Sequence, residues 1–286
     1  MDGKTKLCGL IGNPVEHTKS PLIHKTIANR MEHNLDYAPF LVQEDELEIA
    51  IKGAHALNVW GLNVTVPYKS EVIKYLREID SYAKRIGAVN TLVRMENGYK
   101  GYNTDYEGLY RAMRSEDIDI QGKDVILLGA GGSARAIAHM CAKYKAKRLF
   151  ICNRNLHKAQ EIKDSIDDGV RDNEYSEIEV YVVSMKDCAD ISTEKAIAIQ
   201  ATSVGLYPNV DEVVVSAPQF YEKLEAAVDI IYAPSETLFM KHAKAAGANT
   251  MNGIKMLVFQ AIVAYELINQ CSVNEEIVQE LVRIIE

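Results

Sequence analysis

The sequence predicts an α/β fold in two parts: an N-terminal α/β half, then a doubly wound sheet of parallel strands. Three observations carry this. Strand-like and helix-like segments alternate along nearly the whole chain. The apolar run at 124–128 is bounded by glycines, as expected for a strand buried on both faces. Directly after it, Gly129-Ala130-Gly131-Gly132-Ser133-Ala134 opens a helical pattern. A length of 286 residues suggests two domains. The pattern places them at 1–105 and 106–252, with helices of 253–286 returning to pack on the first.

Taken in order, 6–12 reads as a strand ending in a glycine turn. Residues 20–30 read as a helix with Ser20 as N-cap and Pro21 at the first helical position. A strand at 36–42 and a helix at 44–55 follow. The segment 61–66 alternates, with Val64 and Val66 facing one side and Asn63 and Thr65 the other. Pro67 cannot continue a central ladder, so Lys69 stands just beyond a strand tip. Next come a helix at 81–86 and a hairpin of 88–95 and 99–102 turning at Glu96-Asn97-Gly98. Thr104 caps a helix reaching about Arg114.

The second half reads as strand 124–128, helix 133–143, strand 148–152 and helix 156–166, then strands at 179–183, 196–200 and 227–231 and a helix at 236–246. Within 253–270, Ile254, Leu257, Val258, Ala261, Ile262, Tyr265 and Ile268 share one helical stripe. Gln260 falls off that stripe on the side of Gly253, either facing solvent or reaching into a cleft.

Hydrophobic residues make up 48% and charged residues 25%, so a core can form without metal or disulfides. A net charge of −8 leaves no cationic excess to neutralise phosphates, which argues against nonspecific nucleic-acid binding. Cys8, Cys141, Cys152, Cys188 and Cys271 are scattered and odd in number. They are expected to be reduced in a cytoplasmic protein, with no metal cluster. The charged N-terminus runs straight into an apolar strand, unlike a secretion signal. No apolar run approaches ~18 residues, so no membrane span is expected.

Four segments carry chemistry. The turn at 129–134 lets the backbone approach a pyrophosphate at a helix N-terminus, although such turns also occur in folds without nucleotide. At the tip of the next strand stands Asn153-Arg154-Asn155, with Lys158 one turn on. An acidic residue there would bind a ribose hydroxyl and repel a 2′-phosphate, whereas Arg154 can grip that phosphate, so NADP is favoured over NAD. Lys69 reads either as a surface lysine or as a proton donor to a developing alkoxide. Asp105, in the first turn of a helix, reads as a capping aspartate, as the partner of Lys69, or as both. In the polar loop 12–21, Thr18 and Ser20 suit a carboxylate at a helix N-terminus, and His17 reads as orienting the loop.

Nine segments in order resemble the shikimate dehydrogenase family: 12–21, 63–69, Gly87-Ala88-Val89-Asn90-Thr91, Asn103-Thr104-Asp105, 129–134, Asn153-Arg154, Ala201-Thr202-Ser203-Val204-Gly205, 229–232 and 253–260. The resemblance implies an N-terminal substrate domain, a Rossmann-type NADP-binding domain and a cleft between them. It implies reversible reduction of 3-dehydroshikimate to shikimate, a step in aromatic amino acid biosynthesis. It implies Lys69 as acid/base with Asp105 as partner and substrate ligand. Thr18, Ser20, Thr65, Asn90, Tyr232 and Gln260 match substrate-binding positions. Gly129, Ala130, Gly131, Gly132, Ser133, Asn153, Arg154, Ile230 and Gly253 match cofactor contacts. The expected partner is a small molecule, bound by a monomer or homodimer.

Four positions depart from the family pattern: Thr18 stands for serine, Asn155 for threonine, Lys255 for glycine and Gln200 for asparagine. Two other readings follow. One is a quinate/shikimate dehydrogenase using NAD. The other is a noncatalytic ligand-sensing regulator, which can lose Lys69 or Asp105; this chain retains both and shows no appended DNA-binding segment.

Overall fold

A computed structural model describes residues 1–285. The chain divides into two compact units, Met1–Gly108 with Val258–Glu286, and Leu109–Leu257. The first unit begins β1 (Lys6–Gly12), α1 (Ser20–Arg30), β2 (Leu35–Leu41), α2 (Leu47–Ala56) and β3 (Gly61–Val64). It continues β4 (Glu78–Ile79), α3 (Ser81–Ile86), β5 (Thr91–Met95), β6 (Gly98–Tyr102) and the start of α4 (Asp105–Arg114). Its sheet has the order β2-β1-β3-β5-β6-β4. β1 runs parallel to β2 and β3, β5 runs antiparallel to β3 and β6, and β4 runs parallel to β6.

β3 ends two residues short of the strand expected at 61–66, and its central position covers both of its faces. Between β1 and β5, all four of its residues are buried. Asn63 is therefore 6% exposed and Val66, past the strand's end, is 60% exposed. Asn63 is tolerated in the interior because its amide is bonded on both sides. The strand stops at Val64 because the chain turns back, with Tyr68 N–H donating to Thr65 C=O at 3.0 Å.

Other boundaries shift for local reasons. Lys19, not Ser20, is the N-cap of α1, and no side chain caps that helix. The acidic run Glu44–Glu46 forms a 3-10 turn before α2 begins. The hairpin loop is Glu96-Asn97, with Gly98 at φ +135° already paired with Met95. β5 starts at Thr91 because Val89 N–H is taken by Lys69 C=O at 2.7 Å.

The second unit contains β7 (Asp124–Leu128), α5 (Gly132–Lys143), β8 (Arg148–Asn153), α6 (Leu156–Arg171) and β9 (Glu179–Ser184). It continues β10 (Ala196–Gln200), α7 (Pro218–Glu222), β11 (Leu224–Asp229), α8 (Leu238–Ala245) and β12 (Asn249–Met251). The strands are all parallel in the order β12-β11-β10-β7-β8-β9. This is the doubly wound arrangement, and its direction of winding reverses between β7 and β10. Every residue of β7 and β10 is buried, which accounts for their apolar character. α6 continues past Ile166 because Gly169 meets the Tyr175 ring, extending the packed face. β11 ends two residues before the expected tip because Asp229 turns inward to bond the chain that follows it.

The chain ends in α9 (Gly253–Asn269) and α10 (Glu275–Ile285). α9 is covered beyond the expected stripe, since Phe259, Val263 and Ala264 are buried as well. Among the described residues no helix is long and apolar enough to cross a membrane. Burial pushes the Cys8 and Cys141 thiols up to about 12, so both are poor nucleophiles.

Within the first unit α4 and α9 touch backbone to backbone. A methyl group on Gly108 would lie 2.5 Å from the Gln260 nitrogen. Gly108→Ala is expected to lower stability by about 1–3 kcal/mol through overpacking, measured by urea unfolding against the parent chain.

Candidate active site

Lys69 lies in the turn after β3, and Asp105 is the first residue of α4. The turn and the helix bring them together: Lys69 Nζ is 2.7 Å from Asp105 Oδ2, with the side chains 32% and 13% exposed. Asn90 Nδ2 donates to the other carboxylate oxygen at 2.9 Å. Thr104 fixes the Asn90 amide, donating to Oδ1 from its backbone N–H at 2.8 Å and from its hydroxyl at 3.2 Å. Asp105 N–H in turn donates to Asn103 Oδ1 at 3.0 Å. The result is a carboxylate locked in orientation and offering one oxygen to an ammonium group. Such a pair can hold, release or accept a proton beside a bound hydroxyl.

The remaining residues expected at the substrate site lie on other elements. Thr18 Oγ1 donates to Ser20 Oγ at 3.1 Å, and the same oxygen accepts from Ser20 N–H at 3.2 Å. Thr65 continues the line of β3, its N–H donating to Ile11 C=O at 2.9 Å. Gln260, half-buried on α9, backs onto Gly108. Tyr232 belongs to the second unit and is exposed. His17 is exposed in the loop before α1.

In the second unit the glycine turn follows β7 at the reversal of winding. Gly129 adopts φ +117°, and an added side chain there would lie 2.8 Å from the Ala201 carbonyl oxygen beyond β10. Gly131 and Gly132 differ: a methyl group on either would meet nothing within 4 Å. No side chain caps the N-terminus of α5, so its backbone N–H groups are available to an anion. Ala130 and Ser133 complete this open rim. These features fit a dinucleotide pyrophosphate.

At the end of β8, Asn153 Nδ2 donates to Asn155 C=O at 2.8 Å. Asn155 Oδ1 accepts from His157 and Lys158 N–H, making it the N-cap of α6. That accounts for an asparagine at this departure from the family pattern. Arg154 and Lys158 are exposed, and Arg154 has no ion-pair partner among the described residues. Gly253 N–H donates to Ile231 C=O at 3.0 Å, setting Ile230 against the start of α9. Lys255 is paired with Glu116.

Comparison with known proteins bears on this geometry. The family description "Shikimate dehydrogenase substrate binding domain" matches residues 10–92, and "Shikimate / quinate 5-dehydrogenase" matches residues 111–220. A shikimate dehydrogenase (NADP(+)) of Desulforamulus reducens is 39% identical over 270 residues, covering 93% of this chain and 91% of its own. The chain belongs to the shikimate dehydrogenase family. A crystal structure of a shikimate dehydrogenase in complex with NADP+ superposes with TM-score 0.87 at 37% identity, covering 99% of this chain and 96% of that one. The Listeria monocytogenes shikimate 5-dehydrogenase, solved with shikimate and NAD, superposes with TM-score 0.90 at 28% identity, covering 100% and 98%. The α/β architecture expected from the sequence is thus that of this family.

Sequence reasoning noted Gln200 and the segment of Asp229 but gave no role to these two buried polar groups at the end of the second sheet. Asp229 Oδ2 accepts from Thr237 Oγ1 at 2.6 Å, and Oδ1 accepts from Ile231 N–H at 3.0 Å. Gln200 bonds Thr202 N–H and Val204 C=O. Together they hold the segments that follow β10 and β11. Their signal was a polar residue closing each of two apolar strands.

Burial raises the Asp229 carboxyl from 3.8 to about 6, against weaker opposing hydrogen bonds. The folded state therefore holds this proton more tightly than the unfolded state. Stability from this group is full below about pH 4 and is lost as pH rises through 6, amounting to about 3 kcal/mol. Asp229→Asn is expected to remove that slope, gaining on the parent chain between pH 4 and 7 in paired denaturant titrations.

Proposed function

We propose that this protein interconverts shikimate and 3-dehydroshikimate with NADP, using Lys69 as the acid/base and Asp105 as its partner and as a substrate ligand. The observation that carries the chemical assignment is the 2.7 Å ion pair whose carboxylate is clamped from behind by Asn90. NADP, when bound, supplies the hydride acceptor. In oxidation, which starts from Lys69 as the neutral amine, the carbinol C–H electrons leave as hydride while the hydroxyl proton passes to Lys69 Nζ, and a carbonyl forms. In reduction, Lys69 returns that proton to the nascent alkoxide. Asp105 holds Nζ at the reacting oxygen, and the rate gain from such a positioned group is typically ~10²–10⁴-fold.

A polyhydroxylated ring acid needs many hydrogen-bonding partners. Thr18 and Ser20 suit its carboxylate, and Thr65, Asn90, Tyr232 and Gln260 suit its hydroxyls. Gly129, Ala130, Gly131, Gly132 and Ser133 are assigned to the pyrophosphate, Asn153 and Arg154 to the adenosine 2′-phosphate, and Ile230 and Gly253 to the remainder of the cofactor. Residues 1–105 with 253–286 then serve the substrate and 106–252 the cofactor. A cytoplasmic monomer or homodimer fits five unpaired cysteines and a net charge of −8.

Lys69→Ala is expected to cut kcat by ~10³-fold while leaving NADP affinity within about twofold, by steady-state rates and fluorescence titration. An equal loss of NADP binding would refute the acid/base role. Arg154→Ala is expected to lower kcat/KM for NADP at least about tenfold more than for NAD, since it removes a charge-assisted contact to a phosphate that NAD lacks. Specificity constants for shikimate and quinate with each cofactor, from NADPH absorbance, decide the substrate. A quinate preference would overturn the assignment.

A further inference from the structure

We propose that Tyr37, Asn63 and Thr91 are positioning residues, orienting the Asp105 carboxylate of the Lys69–Asp105 pair through one buried, head-to-tail chain of hydrogen bonds that starts beside the helix following the loop of Thr18 and Ser20. The inference rests on the reading above, in which that loop takes the substrate carboxylate and that pair moves the proton.

The polarity of the chain follows from donors that admit no choice. A backbone N–H can only donate, so the Asn90 atom 2.8 Å from Thr104 N is the amide oxygen. Asn90 Nδ2 must then face Asp105 Oδ1, at 2.9 Å. Thr91 Oγ1 lies 3.1 Å from the same amide oxygen and 3.4 Å from Thr104 Oγ1, which spends its own proton on that amide, so Thr91 gives its single proton to the nearer acceptor. It therefore accepts from Asn63 Nδ2, also at 3.1 Å. The second Asn63 Nδ2 proton goes to Asn90 C=O at 3.2 Å. That leaves Asn63 Oδ1 facing Tyr37, whose hydroxyl donates to it at 2.8 Å. Ser20 Oγ accepts from Thr18 Oγ1 at 3.1 Å, and Ser20 opens the helix that carries His24 against the Tyr37 ring. Every link points toward the Asp105 carboxylate.

The chain is stiff as well as continuous. Tyr37, Asn63, Asn90 and Thr91 are all buried, and in such a medium aligned hydrogen bonds polarise and strengthen one another. The Tyr37 ring is stacked on His24, with centroids 4.2 Å apart and planes 14° from parallel. His24 lies one turn after Ser20 on α1, so the helix that begins at the carboxylate loop also clamps the phenol. Asn63 is held by the β3–β5 register, directly opposite Thr91. The helix after the carboxylate loop thus abuts the start of this chain, and cutting it at Tyr37, Asn63 or Thr91 loosens Asp105 without removing a group assigned to substrate, cofactor or proton transfer.

The test uses the full chain with Tyr37→Phe, Thr91→Val and Thr91→Ser. Shikimate oxidation is followed by steady-state kinetics. Lys69 reactivity is followed without substrate, by trace acetylation and peptide mass spectrometry. Tyr37→Phe and Thr91→Val are each expected to lower kcat about tenfold with KM for NADP unchanged, because sub-ångström misplacement of an acid/base is costly. Both are expected to acetylate Lys69 several-fold faster, as an amine less firmly paired is freer to react. Thr91→Ser keeps the hydroxyl and is expected to recover most of the loss in both readouts. If both interrupting variants keep kcat within about twofold and leave Lys69 acetylation unchanged, the proposal is overturned. Loss in Thr91→Ser equal to that in Thr91→Val also overturns it, since packing would then be the cause. A parent chain that does not oxidise shikimate refutes the substrate reading instead, and the acetylation rates still decide the hydrogen-bond chain.

Discussion

A carboxylate withdrawn from water is destabilised by several kcal/mol unless donors reach it, and Asp105 sits largely withdrawn at the start of α4. Its two oxygens are served differently, one by the Lys69 ammonium and one by the Asn90 amide. The arrangement asks much of the surrounding fold. β3 must end early enough for the chain to turn and present Lys69. Asn90 must stand just before β5, its backbone bonded to Tyr102 and Val64 on either side, so that its side chain faces Asp105. α4 must begin at Asp105, behind a threonine whose backbone fixes the amide. The mixed sheet of the first unit meets all three demands by placing β3 and β5 side by side.

The second unit depends on a different constraint, close backbone approach. The doubly wound order puts the ends of β7 and β10 next to each other where the winding reverses. Gly129 can pass there only because it carries no side chain against Ala201. Beyond it the chain opens, and the first turn of α5 is left with uncapped donors. Helix geometry and sheet topology together therefore create an anion site without any charged residue in the turn. Charge enters at the end of β8, with Arg154.

Much of this was legible in the sequence because it is written in local patterns. The parallel strands of the second unit announce themselves as apolar runs, and the glycine turn follows one of them directly. Lys69 and Asp105 were each visible beside a strand end or helix start. Alternation set Asn63 on the face opposite Val64 without saying whether that face is covered, and only the flanking strands β1 and β5 reveal that both faces are. The lengths of α6 and β11 depended on Gly169 against Tyr175 and on the inward turn of Asp229, contacts that no local pattern encodes. The short elements β4, β12 and α7 escaped notice because so few residues carry no periodicity.

The fixed polarity of the hydrogen bonds running from Tyr37 to Asp105 also bears on how this protein can change over generations. A donor replaced at one position strands an acceptor at the next, deep in the interior where water cannot compensate. Tolerated drift along this line is therefore concerted: neighbouring positions alter as pairs, or the whole series stays as it is while the surface around it diverges.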